Sequence, residues 1–153
     1  MRLPHLSLLA VTAFACDCAP KCDLTRCPEA LADSQMAVSY YDGSANGYIF
    51  AQNTVEYIPV KREESSSLTY SGGLPFKRTL DERTYRQLAN ALNEAIAAKS
   101  IHIPDRVMGS GVISIKCSDQ SRHWIIAPRS AELDKVESLL QDLRKANSDS
   151  APL

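Results

Sequence analysis

Ile113-Ser-Ile-Lys-Cys117, Ser118-Asp-Gln-Ser121 and Arg122-His-Trp-Ile-Ile-Ala127 follow one another without a gap, and their pattern decides the fold. Ile113, Ile115 and Cys117 alternate with Ser114 and Lys116. A period of two is that of a strand with one face buried, because successive side chains point to opposite sides of the pleat. The polar run at 118–121 has turn composition, and the β-branched and aromatic run after it returns. The stretch predicts an antiparallel hairpin with Cys117 near its tip.

Outward from the hairpin the period changes to that of helices. Downstream, Ser130 is placed to cap a helix whose Leu133, Val136, Leu139, Leu140 and Leu143 share one face. Upstream, Thr79-x-x-Glu82 has the form of a capping box and opens a helix over 81–99, with Tyr85, Leu88, Ala89, Leu92, Ala95 and Ile96 three and four apart. Arg86, Asn90 and Asn93 lie on its other side, and residues 101–110, with Pro104 and Gly109, read as a loop.

Earlier still, strands are expected at 37–41 and 48–50 around the turn cluster 42–47. Another is expected at 54–60, with Pro59 limiting its end to an edge. Lys61 to Ser67 reads as a solvated loop. Ser71-Gly72-Gly73 reads as a turn between strands at 68–70 and 74–80, since adjacent glycines accept a positive φ. The expected class is α+β: an antiparallel sheet of about four to six strands with two amphipathic helices packed on one face, over residues 37–146. Residues 147–153 form a flexible polar tail.

The order of elements from Thr54 to Lys145, with Tyr70-Ser71-Gly72-Gly73 before the first helix and a leucine-rich helix last, resembles the emfourin-like proteins. These are small bacterial inhibitors of thermolysin-type metalloproteases such as protealysin. The resemblance implies the architecture above and a protein partner; Ser71-Gly72-Gly73 is its one literal motif. Independently, Tyr70 and Phe76 flank a glycine-rich segment, a form that can enter a partner's cleft, so Tyr70, Ser71, Gly72, Gly73 and Phe76 are the expected partner-binding residues.

The amino terminus has the form of an address. Arg2 precedes an apolar stretch from Leu6 that ends in Ala13-Phe14-Ala15, the three-part arrangement of a secretory signal over residues 1–15. Cutting after Ala15 makes Cys16 the first residue, which resembles a bacterial lipoprotein with its amino-terminal cysteine acylated. That family usually has an aliphatic residue three before the cysteine and a small one two before; here these are Ala13 and Phe14. Residues 16–36 are expected to be a cysteine-rich tether.

Five cysteines are an odd number for an oxidising compartment. With Cys16 lipidated, Cys18, Cys22, Cys27 and Cys117 remain to form two disulfides, in any of three connectivities. The alternative use of the amino-terminal thiols is soft-metal binding, although their spacing is not that of paired zinc ligands.

The chain has 153 residues, 44% hydrophobic and 23% charged, with a net charge of −1. No basic excess is present to neutralise a phosphate backbone, so nucleic acid is not an expected partner. After the signal only His102 and His123 remain as histidines. The chain has no His-Glu-x-x-His, no Gly-x-Ser-x-Gly and no phosphate loop, so no catalytic residue, resident metal or cofactor is assigned and an enzyme is not expected. The expectation is an exported, lipid-anchored envelope protein that binds another protein, an extracytoplasmic protease being the partner the resemblance implies. Its alternatives are an assembly or structural lipoprotein of the envelope, or secretion without a lipid.

Overall fold

The computed structural model describes residues 23–28 and 36–148. Six strands form one open antiparallel sheet: β1 (Met36–Tyr41), β2 (Gly47–Ala51), β3 (Thr54–Ile58), β4 (Phe76–Thr79), β5 (Gly111–Cys117) and β6 (Gln120–Ile126). Helix α1 (Glu82–Ala97) follows β4, and α2 (Ala131–Ser148) follows β6. The strand order is β4-β3-β2-β1-β5-β6. The chain therefore meanders outward from β1 to β4, returns through α1, and adds the β5-β6 hairpin to the free edge of β1. The fold is α+β.

Register and alternation divide the sheet into two faces. Val38 and Tyr40 of β1 face the same side as their cross-strand partners Phe50 and Tyr48, and as Ile115 and Ile113 on β5. Val55, Tyr57, Trp124 and Ile126 continue that buried face across β3 and β6. Contacts from the helices fall on these same residues. Val38 and Phe50 surround a small apolar gap with Tyr85, Leu88, Ala89 and Leu92 of α1. From α2, Glu137 accepts the Tyr40 hydroxyl at 2.9 Å, and the Arg144 guanidinium lies 4.9 Å from the Tyr57 ring centre. The other side of the sheet is mixed: Ser39, Glu56, Ser114, Lys116 and His123 share it with the half-buried Tyr41, Ile49, Val112 and Ile125.

Several local expectations change. Asp81, rather than Thr79, caps α1: its carboxylate accepts from the Thr84 backbone N–H at 2.8 Å and from the Thr84 hydroxyl at 2.7 Å, while Thr79 pairs with Thr54 at the end of β4. The β5-β6 turn is tighter than 118–121, because Cys117 pairs directly with Gln120 and Ser118 adopts a positive φ of 53°. Ser130 contributes its carbonyl to the Asp134 N–H, and its hydroxyl donates to Ala127 O. No strand forms at 68–70; Leu68 has a positive φ of 54°, and the edge of β3 is taken by Phe76–Thr79.

Part of the segment expected as a tether packs against the domain. Cys27 is buried in the core, and Asn93 of α1 binds it at both backbone atoms, accepting from its N–H at 2.6 Å and donating to its carbonyl at 3.2 Å. The Tyr85 hydroxyl donates to Pro28 O. The expectations for residues 1–15, for Cys16, Cys18 and Cys22, and for the tail beyond Ser148 lie outside the described residues. Among the described residues, no helix is long and apolar enough to cross a membrane.

Candidate protein-binding loop end

The strand directions bring four connections to one end of the sheet. These are the β1-β2 turn at 42–46, the long β3-β4 connection at 59–75, the loop at 102–110 and the short β6-α2 connection at 127–130. Gly43 and Gly109 meet there so closely that a Cβ on Gly43 would lie 2.5 Å from Gly109 Cα. Arg106 joins the same two loops by donating to Asp42 O at 2.6 Å. Met36, where β1 begins, lies at the opposite end beside Cys117.

Asn46 is the hub of this end and is fully buried. Its amide nitrogen donates to Asp42 Oδ2 and to the Tyr70 hydroxyl, each at 2.8 Å, and its side-chain oxygen accepts from Val60 N–H at 3.0 Å. One amide thus ties the turn, the exit from β3 and the middle of the long connection, with all its polar capacity used inside the protein.

Gly72 is the second tie. Its N–H donates to Val60 O at 3.0 Å, and its carbonyl accepts from the Tyr57 hydroxyl at 2.7 Å and from Arg144 at 2.9 Å. A Cβ at this position would fall 2.0 Å from Asn46 Oδ1 and 2.8 Å from Pro59 Cβ, so no side chain fits. Gly73, at φ +95°, turns the chain toward β4.

Beneath these ties runs a row of aromatic rings, one per strand: Tyr40, Tyr48, Tyr57 and Phe76, paired in register from β1 to β4. Adjacent ring centres are 6.3, 4.8 and 5.3 Å apart. Such cross-strand contacts stabilise a sheet beyond simple area burial. Burial pushes the Tyr57 phenol up to about 12 against the opposing pull of Arg144. Burial also raises Tyr40 and Tyr48 well above the ordinary phenol range, with the Glu137 charge adding to the effect on Tyr40. Glu137 is itself raised by burial, while its bond from Tyr40 works in the other direction. Tyr40 and Tyr57 are neutral at physiological pH and act as hydrogen-bond donors, to Glu137 and to Gly72 O.

The surface above this scaffold is apolar. Every large hydrophobic side chain exposed among the described residues belongs to the end of β3, the 59–75 connection or the 102–110 loop: Ile58, Leu68, Tyr70, Leu74, Val107 and Met108. Met108 is 95% exposed and Leu74 84%, values that exclude a role in this domain's own packing. Tyr70, Val107 and Met108 share an open cleft of about 680 Å³ with residues 65–67.

The five expected partner-binding residues divide by position. Tyr70 is 39% exposed, with its hydroxyl held by Asn46; Ser71 is exposed; Gly72 and Gly73 shape the backbone; and Phe76 packs on Tyr57. Sequence reasoning did not find Asn46, Arg144, Leu74, Val107 or Met108. Asn46 reads locally as one more turn residue and Arg144 as a solvated helix charge, because the partners that give them their roles are distant in the chain.

The remaining expected residues lie elsewhere. Cys27 is a free thiol whose burial pushes it up to about 12. Cys117 is disulfide-bonded. His102 and His123 line a common groove with Arg122 and Trp124, a groove with no carboxylate or thiol among its described lining residues. His102 Nε2 also lies 3.0 Å from Ala95 O. Among the described residues, no three His, Cys, Asp or Glu side chains are grouped to hold a metal. Comparison with protein-family models and with curated proteins finds no match for this chain.

Proposed function

We propose that this protein is an exported, lipid-anchored envelope module that binds another protein through the loop end of its sheet, the partner being an extracytoplasmic protease of the thermolysin type. The observation that carries the binding reading is the contrast within one loop system. The backbone at Gly72 and the hub at Asn46 are fixed from several sides, whereas Leu74 and Met108 above them are left to solvent. A rigid scaffold presenting apolar side chains loses little conformational entropy on binding, which favours association. The signal-like residues 1–15 and the position of Cys16 support export and anchoring, and the Ser71-Gly72-Gly73 resemblance supports the choice of protease.

Two measurements test the two parts. The intact mass of the protein taken from its native envelope reports cleavage before Cys16 and acyl chains on it; a mass corresponding to an uncleaved chain contradicts the anchor. Titration of a thermolysin-type protease with the purified protein reports binding. Inhibition with a stable complex supports the partner, and the absence of both contradicts it. An envelope-assembly role without inhibition is supported instead if the protein recovered from membranes is bound to envelope machinery.

A further inference from the structure

The groove that joins His102 and His123 is cationic, and the loop-end reading does not use it. Thr25 and Arg26, Lys99 just beyond α1, and Arg122 and His123 of β6 line it, giving an open volume of about 820 Å³. Arg122 lies with its guanidinium carbon 5.2 Å from the centre of the Trp124 ring. The heads of Arg26, Lys99, Arg122 and His123 are all exposed. Asp23 pairs with Arg26 at 3.3 Å, and Glu94, the acidic residue of α1 nearest in sequence, is engaged by Lys135 of α2. The cleft beside α2 is of mixed charge, lined by Asp42, Asp134 and Glu137 together with Arg144.

We infer that this groove docks on the phosphates of anionic lipid headgroups in the bilayer that carries the anchor. The inference rests on the anchoring proposed above. Asp23 follows Cys16 by seven positions, and an extended chain spans at most ~3.5 Å per residue, so an acylated Cys16 holds the groove within about 25 Å of the membrane. Exposed cations on an open surface suit a sheet of phosphates better than a small enclosed anion, and Arg offers a planar fork matched to phosphate oxygens.

The test uses the full mature chain carrying Cys16→Ser, which has no acyl group, so that binding reads the groove and not the anchor. Co-sedimentation is measured with vesicles of phosphatidylcholine alone and of phosphatidylcholine mixed with phosphatidylglycerol. Binding is expected only to the anionic vesicles and is expected to weaken as salt rises. Lys99→Gln and Arg122→Gln are each expected to weaken it about fivefold. Lys145→Gln, at the far end of α2, is expected to leave it unchanged, and far-UV circular dichroism confirms that each variant is folded. Equal binding to both vesicle types, or Lys99→Gln and Arg122→Gln binding like the parent, overturns the inference. Inorganic phosphate that displaces the protein at concentrations matching the lipid phosphate would assign the groove to a small free anion and also overturn it. Failure of the anchor is read separately, in the mass of the native protein.

Discussion

Asn46 and Gly72 hold the loop end together, and neither declares its role locally. Asn46→Ala leaves the Val60 N–H and the Tyr70 hydroxyl without their partner, and an unsatisfied buried group costs about 1–3 kcal/mol. Gly72→Ala forces a methyl into Asn46 and Pro59, an overpacking that costs about 1–3 kcal/mol if the loop stays and less if the loop detaches. Urea unfolding measures both losses, and partner binding is expected to fall with Gly72→Ala even where the fold survives. Glu137 gives a pH signature. Its folded-state carboxyl keeps its proton to higher pH than the unfolded chain's value of 4.5, so the native state binds more protons in that window and stability declines as pH rises through it. Glu137→Gln is expected to remove that decline, read as unfolding midpoints compared from about pH 4 to about pH 7. Cys27, held protonated by burial, is expected to resist thiol reagents in the native protein and to react on unfolding.

At the level of elements, period and composition located both helices, the β5-β6 hairpin and the β1-β2 pair, because each has a sustained pattern of burial. The 59–75 connection was the part misread. Leu68-Thr-Tyr70 has strand composition, yet Leu68 takes a positive φ of 54° that departs from a strand, and β4 pairs with β3 in its place. The cap of α1 shifted from Thr79 to Asp81 for a related reason: Thr79 is used by the ladder, and the carboxylate two residues later reaches Thr84. The exposed side chains of these connections allow binding to be separated from folding. Leu74→Ser and Met108→Ser remove surface groups that touch little, so each is expected to change stability by no more than about 0.5 kcal/mol. Together they are expected to abolish complex formation with the partner, measured by titration calorimetry alongside thermal unfolding.

Across the whole molecule, the α+β class followed from the order of elements, but the strand order did not. That β1 lies at the centre of the sheet, with β5 on one edge and β2 on the other, depends on pairing between segments about seventy residues apart, which a local pattern does not encode. The amino-terminal segment is likewise more than a spacer. Cys27 fills a core position beneath α1, and Cys117, at the tip of the β5-β6 hairpin, is disulfide-bonded. Reduction of the native protein is expected to lower its stability by about 2–4 kcal/mol, read as a shift in urea midpoint with and without reductant. The central claim is that a rigid loop end presents apolar side chains to a protease. Its most direct test is titration of a thermolysin-type protease with the native protein and with the Leu74→Ser, Met108→Ser double variant at matched concentrations. The account predicts stoichiometric inhibition by the native protein, lost in the folded variant; no inhibition and no complex, or a variant that inhibits as well as the native protein, would contradict it.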